Sequence, residues 1–357
     1  MDPIRFLEEL INIPSLSGEE EGVAERVFRE FKGLGYDDII KSGGNVCGVR
    51  GSGPVKLLYD AHMDVVDPGT GWEGDPYKAR NTGERVIGRG ASDDKGSLAA
   101  MVHGGAIADV SGVTLYVLGS VREEVSDRNG IREFLEKTGI RPDFAVVGEP
   151  SDLRVSLGNR GRVVIRIELQ GEAGHASDPE AGVNAVYRAS EVVDSVRKLN
   201  HRVSQEGDSV AVTRILTPER NINIIPEKCT IWMDYRSAPG REIEDILSLF
   251  SELTEERDTV ECFTPYHRPW VIEKEHPLVA AALKSSSETG CSTETTFWNF
   301  CTNASFIAGE LKIPTIGFGP GLEEDCHTAE ESISCSQVLK AVDYLGKLPE
   351  HVSRIQT

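Results

Sequence analysis

A chain of 357 residues suffices for two domains, or for one domain with a large insertion, and 39% hydrophobic with 27% charged residues describe an ordinary globular protein. A formal net charge of −20 speaks against nucleic acid and against an anionic membrane surface as partners. The seven cysteines are scattered with no C-x-x-C pair, which argues against a disulfide framework or a zinc ribbon and fits a reducing, cytoplasmic setting.

The N-terminal "MDPIRFLEELINIPS" lacks the charged-then-apolar layout of a signal peptide. It predicts a short amphipathic helix with Ile4, Leu7 and Leu10 or Ile11 on one face. No run is apolar and long enough to span a bilayer. "VKLLYDAH" predicts a buried strand, "SLAAMVHGGAIADV" a helix and "VTLYVLGS" a strand. "GIREFLEKTG" is a helix stopped by glycine, and "PDFAVVGEP" is a strand closed by a turn. This alternation implies a mostly parallel sheet covered by helices, whose sites gather beyond the carboxyl ends of the strands.

Near Asn159 the pattern changes. "GRVVIRIELQG" alternates strictly, with Val163, Ile165 and Ile167 on one face. The helix "GVNAVYRASEVVDSVRKLN", the strands "DSVAVTRILT" and "EKCTIWMDYRS", and the helix "EIEDILSLFSELTEER" follow. That order is an α+β module with an antiparallel sheet. Helical and parallel-strand patterns then return in "HPLVAAALKSSSETG", "NASFIAGELK", "IPTIGFGPG" and "SCSQVLKAVDYLGKL". The expected organisation is a split α/β domain, residues 1–160 and 266–357, with an α+β domain inserted at 161–265.

Five places hold candidate chemistry: His62 with Asp64, Asp93, Glu123 with Glu124, Glu149, and His327. Taken singly each has an ordinary structural reading, such as a satisfied histidine, a capped helix start or exposed charge. Together they differ. The strands bearing His62, Glu123 and Glu149 end at one sheet edge, and Asp93 opens a helix that starts there. Crowded carboxylates raise one another's pKa, and a divalent cation removes that repulsion. Imidazole and carboxylate without thiolate suit Zn²⁺ or a similar first-row ion such as Co²⁺ or Mn²⁺. Asp93, Glu124 and Glu149 bring three negative charges, which two divalent ions balance better than one. His62 and Asp64, two apart on a strand, point to the same side, so Asp64 can orient the imidazole.

The motifs "DAHMDVV", "GRGASDDKGS", "REE", "VGEPSD", "GEAGHAS", "NINIIP", "DYR" and "CHTAEE" run in the order of a known family and span nearly the whole chain. The sequence resembles the co-catalytic zinc amidohydrolases and peptidases that include carboxypeptidase G, acetylornithine deacetylase, succinyl-diaminopimelate desuccinylase and aminoacylase-1. "YHRPW", "WNFCTNAS" and "PTIGFGPG" are further similar to a subgroup of peptidases linked to selenium metabolism. The resemblance implies a zinc-peptidase-like catalytic domain and makes the insert a dimerisation or lid domain. It implies that Asp93 bridges two ions, with His62 and Glu149 completing one site and Glu124 and His327 the other. It makes Glu123 the general base and the Asp93–Asp94 peptide cis. It brings His175 to the active site of the partner subunit in a homodimer. Ser92-Asp93-Asp94 stands where many relatives have Ala-Asp-Met, and Cys326 beside His327 reads as a buried bystander rather than a ligand.

The expected reaction is hydrolysis of a small amide or peptide that carries a free carboxylate. Arg236 and Asn223 are candidates to hold that carboxylate, and Thr302 and Gly319 lie in loops expected to line the pocket. A surface ion pair for Arg236 and turn chemistry for Thr302 and Gly319 stand beside those readings. A different two-metal hydrolase, such as a phosphoesterase, and a non-catalytic binding relative are the alternatives.

Overall fold

A computed structural model of the chain describes residues 2–125, 129–218 and 221–355. It divides into two compact units. The first comprises Met1–Gly158, Val271–Trp298 and Thr302–Thr357; the second comprises Asn159–Trp270 and Asn299–Cys301.

The first unit is built on a mixed sheet. Its centre is the expected parallel run, in the order Val113–Ser120, Val55–His62, Phe144–Val147 and Thr315–Gly317. The flanks are antiparallel. On one side Asn45–Arg50 pairs with Val113–Ser120, and Asp38–Ser42 pairs outside it. On the other side Gly317 pairs antiparallel with Ser156 of Val155–Asn159. The sheet is therefore mixed as a whole, because a tight hairpin adds strands that need no helical crossover. That hairpin turns on Gly43 and Gly44, with Ser42 opposite Asn45 and φ of 61° and 86°. Two consecutive residues with positive φ are what a two-residue hairpin of matching twist demands, and glycine adopts them without a Cβ clash.

Parallel register sets the positions of the site. His62 lies opposite Ser120, while Asp60 and Gly317 both lie opposite Val147. The strands that precede Glu123, Glu149 and Gly319 thus end at the same edge as the His62 strand. The helix Lys95–Ile107 starts beside Asp93 and Asp94, is buried over most of its length and packs on the helix Cys335–Val352. The N-terminal helix spans Pro3–Ile11; the Asp2 side chain accepts the Ile4 N–H at 2.9 Å, and Pro3 occupies the first turn. It buries Phe6, Leu7, Leu10 and Ile11, so Phe6 replaces Ile4 in the expected apolar face.

The second unit is an antiparallel sheet in the order Ser209–Leu216, Lys228–Ser237, Gly161–Gln170 and Thr259–Cys262. Val163, Ile165 and Ile167 are fully buried, together with Cys229, Ile231, Met233 and Tyr235 of the neighbouring strand. Ala185, Ala189, Val192 and Val196 from the helix Ala185–Val203, and Ile246 and Phe250 from the helix Ile243–Ser251, complete that core. The second helix ends at Ser251, before the expected "ELTEER", and "NASFIAGELK" yields only the short helix Ala304–Ile307. Among the described residues no helix is long and apolar enough to cross a membrane.

The two faces of Gly161–Gln170 differ in what they contribute. Ile165→Ala, which empties a core position, is expected to cost about 2–5 kcal/mol of unfolding free energy. Arg166→Ala, which removes a part-exposed pair with Glu261 and a contact over the Phe263 ring, should cost about 0–1 kcal/mol. Denaturant titration of the two variants checks the difference, and equal losses would contradict the facing assigned here.

Candidate metal centre

His62 closes its strand, and its ring is fixed from both sides. Nδ1 lies 2.9 Å from the main-chain carbonyl of Asp64. A carbonyl only accepts, so Nδ1 carries the proton. Nε2 faces Oδ1 of Asp93 at 2.9 Å. The other oxygen of Asp93, Oδ2, lies 3.1 Å from Nε2 of His327, and the same nitrogen is 3.1 Å from Oε1 of Glu124. Asp93 thus stands between two imidazoles, one on each carboxylate oxygen. The Asp93–Asp94 peptide is cis.

Two sets of ligand-type atoms result, His62 with Asp93 and Glu149, and Asp93 with Glu124 and His327; in each the atoms lie within 4.8 Å of one another. The carboxyl of Glu149 is buried at 3% exposure, and no donor among the described residues reaches it. The side chain of His327 is the open member, 51% exposed, on backbone with φ of 59°. Arg122, just before Glu123, has φ of 62°. Non-glycine residues in this left-handed region are uncommon, and two of them flank the cluster.

The electrostatics point to missing positive charge. Burial pushes the Glu123 and Glu149 carboxyls well above the ordinary range, and neighbouring carboxylates push further. Glu124 is raised by burial and by Asp93. Burial also opposes ionisation of Asp93, but hydrogen bonds from His327 and His62 outweigh it and hold the group below the usual carboxylate range. Hydrogen bonds to Asp93 and Glu124 raise His327 to about 10. A cation bound among these groups would supply the positive charge that favours their ionised carboxylates. The donors fit such a cation. Ligand atoms about 2.0–2.2 Å from a tetrahedral zinc stand roughly 3.3–3.6 Å apart, so His62 Nε2 and Asp93 Oδ1 at 2.9 Å would part by only about half an ångström to admit the ion.

Asp64, together with residues to which sequence reasoning gave no role, holds this arrangement. The carboxylate of Asp64 accepts the main-chain N–H of Glu123 and of Glu124, each at 3.1 Å, and the Ser17 hydroxyl at 2.6 Å. Its nearer oxygen is 3.4 Å from His62 Nδ1, so the carboxylate holds the Glu123–Glu124 turn while the Asp64 carbonyl orients the ring. Glu20 accepts the Arg122 N–H at 3.0 Å, and Ser15 donates to the Met63 carbonyl at 2.8 Å. Glu331 accepts three loop N–H groups around Asp93, those of Gly90, Ser92 and Asp93. In sequence "SLSGEE" is plain turn composition and Glu331 sits among other acids, so only the "CHTAEE" motif touched it.

The proposed substrate residues are placed differently. His175, Asn223 and Arg236 belong to the second unit. There His175 pairs with Ile224, and the Asn223 carbonyl accepts the Ala176 N–H, which brings His175 and Asn223 together. Arg236 donates through Nε to Asp234 at 2.6 Å. Thr302 and Gly319 belong to the first unit. Thr302 is buried, and its hydroxyl accepts the Ala304 N–H. A Cβ on Gly319 would lie 2.4 Å from the Glu149 carbonyl and 2.5 Å from Ser97 Oγ, so glycine is required for the backbone to pass beside Glu149. Cys326 contacts the Leu322 carbonyl; burial, then the surrounding carboxylates, push its thiol up, so it offers no thiolate.

A model of "Peptidase family M20/M25/M40" matches residues 58–351. The uncharacterized protein YgeY of Escherichia coli strain K12 is 32% identical, with 98% of this chain and 94% of YgeY covered. Acetylornithine deacetylase of Vibrio atlanticus is 29% identical over 94% of this chain and 92% of its own length. A tripeptidase from Staphylococcus aureus superposes with a TM-score of 0.80 at 20% identity, covering 99% of this chain and 98% of that one. An M20 family metallo-carboxypeptidase from Sulfolobus solfataricus superposes with a TM-score of 0.76 at 17% identity, covering 99% and 100%. At such identities the two superpositions establish the fold alone.

If the two sets of donors each take a divalent ion, Zn²⁺ held at a hundred times its dissociation constant should stabilise the fold by about 2.7 kcal/mol per site. Thermal unfolding of chelator-treated protein, with and without added ion, measures this. An unfolding midpoint that ignores the ion would exclude the cluster as a metal centre.

Proposed function

Because this chain belongs to peptidase family M20/M25/M40, it is a metal-dependent hydrolase of amide or peptide bonds, and we propose that it removes the acyl group from an N-acyl amino acid using two zinc ions. The observation that carries this reading is the position of Asp93 between His62 at 2.9 Å and His327 at 3.1 Å, with Glu123 on the same turn as Glu124. The choice of a deacylase over a dipeptidase or carboxypeptidase follows the sequence relatives, since acetylornithine deacetylases match across nearly the whole chain.

His62, Asp93 and Glu149 would hold one ion, and Asp93, Glu124 and His327 the other. Such ions, when bound, polarise the scissile carbonyl and make a water acidic enough to attack at neutral pH. Glu123 takes the proton from that water as the new C–O bond forms. It then delivers the proton to the nitrogen as the C–N bond breaks. Burial already raises the proton affinity of Glu123, which suits a group that must hold a proton between the two steps. Asp64 keeps this base in place through the Glu123 N–H.

Arg236 and Asn223 are assigned to the substrate carboxylate, with Asp234 holding the guanidinium by its Nε. The loops of Thr302 and Gly319 are assigned to the pocket wall. His175 of the partner subunit is assigned to the oxyanion, in a homodimer formed through the second unit. Exposed Tyr187, Ile215, Leu216 and Ile222 in that unit supply apolar surface for such a contact. A cytoplasmic location agrees with the absence of disulfides among the described residues.

Glu123→Gln keeps the side-chain shape and removes the base. It is expected to retain both ions and to lose turnover of N-acetyl amino acids by about 10²–10⁴-fold. Unchanged turnover in the metal-loaded variant would refute the role of Glu123. A wild-type enzyme that cleaves dipeptides and ignores every N-acyl amino acid would refute the substrate class.

A further inference from the structure

Glu331 contributes no atom to either set of ligands, yet it is 1% exposed and ends in a cage of donors. Oε1 accepts the N–H of Ser92 at 2.8 Å and of Asp93 at 2.9 Å. Oε2 accepts the N–H of Gly90 at 3.0 Å and Nη1 of Arg89 at 2.6 Å. Its main-chain carbonyl accepts the Gly88 N–H at 2.9 Å. One residue therefore fixes the whole loop that delivers Asp93. Arg89 is itself buried, reaches the Pro68 carbonyl at 3.3 Å and lies over the Trp72 ring, so the cage is anchored on its far side.

The chemistry of the cage admits only a carboxylate. Each oxygen faces two donors and no acceptor. A glutamine in either amide orientation would set its NH₂ against two N–H groups and leave them unsatisfied in a buried place. Glu331 also follows His327 by four residues and leads directly into the strand Ser332–Ser334, which pairs with Arg85–Ile87. The same side chain thus joins the loop of Asp93 to the segment of His327. The other ligand-type residues are held elsewhere. His62 ends a central strand, Glu149 follows the next one, and Glu124 hangs on Asp64.

We propose that Glu331 is a positioning residue that fixes Asp93 relative to His327 and so sets the affinity of the Asp93–Glu124–His327 site for its ion. This rests on the two-ion reading given above. Without the cage, the His62–Asp93–Glu149 site keeps two residues held by the sheet, whereas the other keeps only Glu124.

The test is stepwise addition of Co²⁺ to chelator-stripped protein, followed by calorimetry and by the visible absorption of the bound ion. Wild type is expected to take two ions. In Glu331→Gln one ion should bind within about threefold of wild type and the other about 10- to 100-fold more weakly. Glu330→Gln is the neighbouring control, because Glu330 accepts the Glu73 N–H and pairs with Arg80 at the surface; both affinities should persist. If Glu331→Gln does not fold, Glu331→Asp keeps the charge one methylene short and makes the same comparison. Two unchanged affinities, or two equally weakened ones, overturn the proposal while leaving the two-ion reading standing. A wild type that binds no ion overturns both.

Discussion

Like charges do not gather unless something holds them, and here backbone N–H groups do the holding. Asp64 and Glu331 are buried carboxylates whose oxygens are occupied by main-chain donors from the loops that carry Glu123, Glu124 and Asp93. Hydrogen bonds to an ionised acceptor are the strong ones, and a buried acceptor left without them would be costly. Satisfying these two acids compels both loops to approach the end of the His62 strand. The cluster of Asp93, Glu123, Glu124 and Glu149 follows from that, despite the repulsion recorded in the raised proton affinities of the three glutamates.

The parallel centre of the sheet supplies the other half of the geometry. Because the strands preceding Glu123 and Glu149 run parallel to the His62 strand, their chain ends meet at one edge whatever the connecting helices contain. The sheet fixes direction and approximate position, and the two carboxylate cages fix the last few ångströms. Catalytic groups need that second level of control, since small displacements from productive geometry are costly in rate.

This division explains what was legible in the sequence. The alternating strands of the second unit could be read directly, because burial on one face imposes period two on Gly161–Gln170 and Lys228–Ser237. The residues around Asp93 could be grouped because strand ends and helix starts announce a sheet edge. The hairpin at Gly43–Gly44 went unread, since its strands are short and its first strand is half exposed. Glu331 and Glu20 were illegible for a different reason. Their partners are backbone N–H groups far away in sequence, and a backbone donor leaves no trace in residue identity. The same holds for Asp64, whose spacing from His62 predicts a ring partner and says nothing of the turn it holds.

What an acid faces separates the roles of the acids in this edge better than where it lies. Asp64 faces two N–H groups and the Ser17 hydroxyl, and Glu331 faces three N–H groups and the Arg89 guanidinium, so the oxygens of both are already occupied by donors. Asp93 and Glu124 face imidazole nitrogens, whose charge depends on what else is bound. For Glu149 no donor is present among the described residues, and burial drives its carboxyl toward the neutral form. A cation entering this edge therefore meets a graded set. A cation held there would replace protons on the imidazoles and on Glu149, and it would leave Asp64 and Glu331 with their own donors. The framework and the reactive groups consist of the same two residue types, and they are told apart by their hydrogen-bond partners alone.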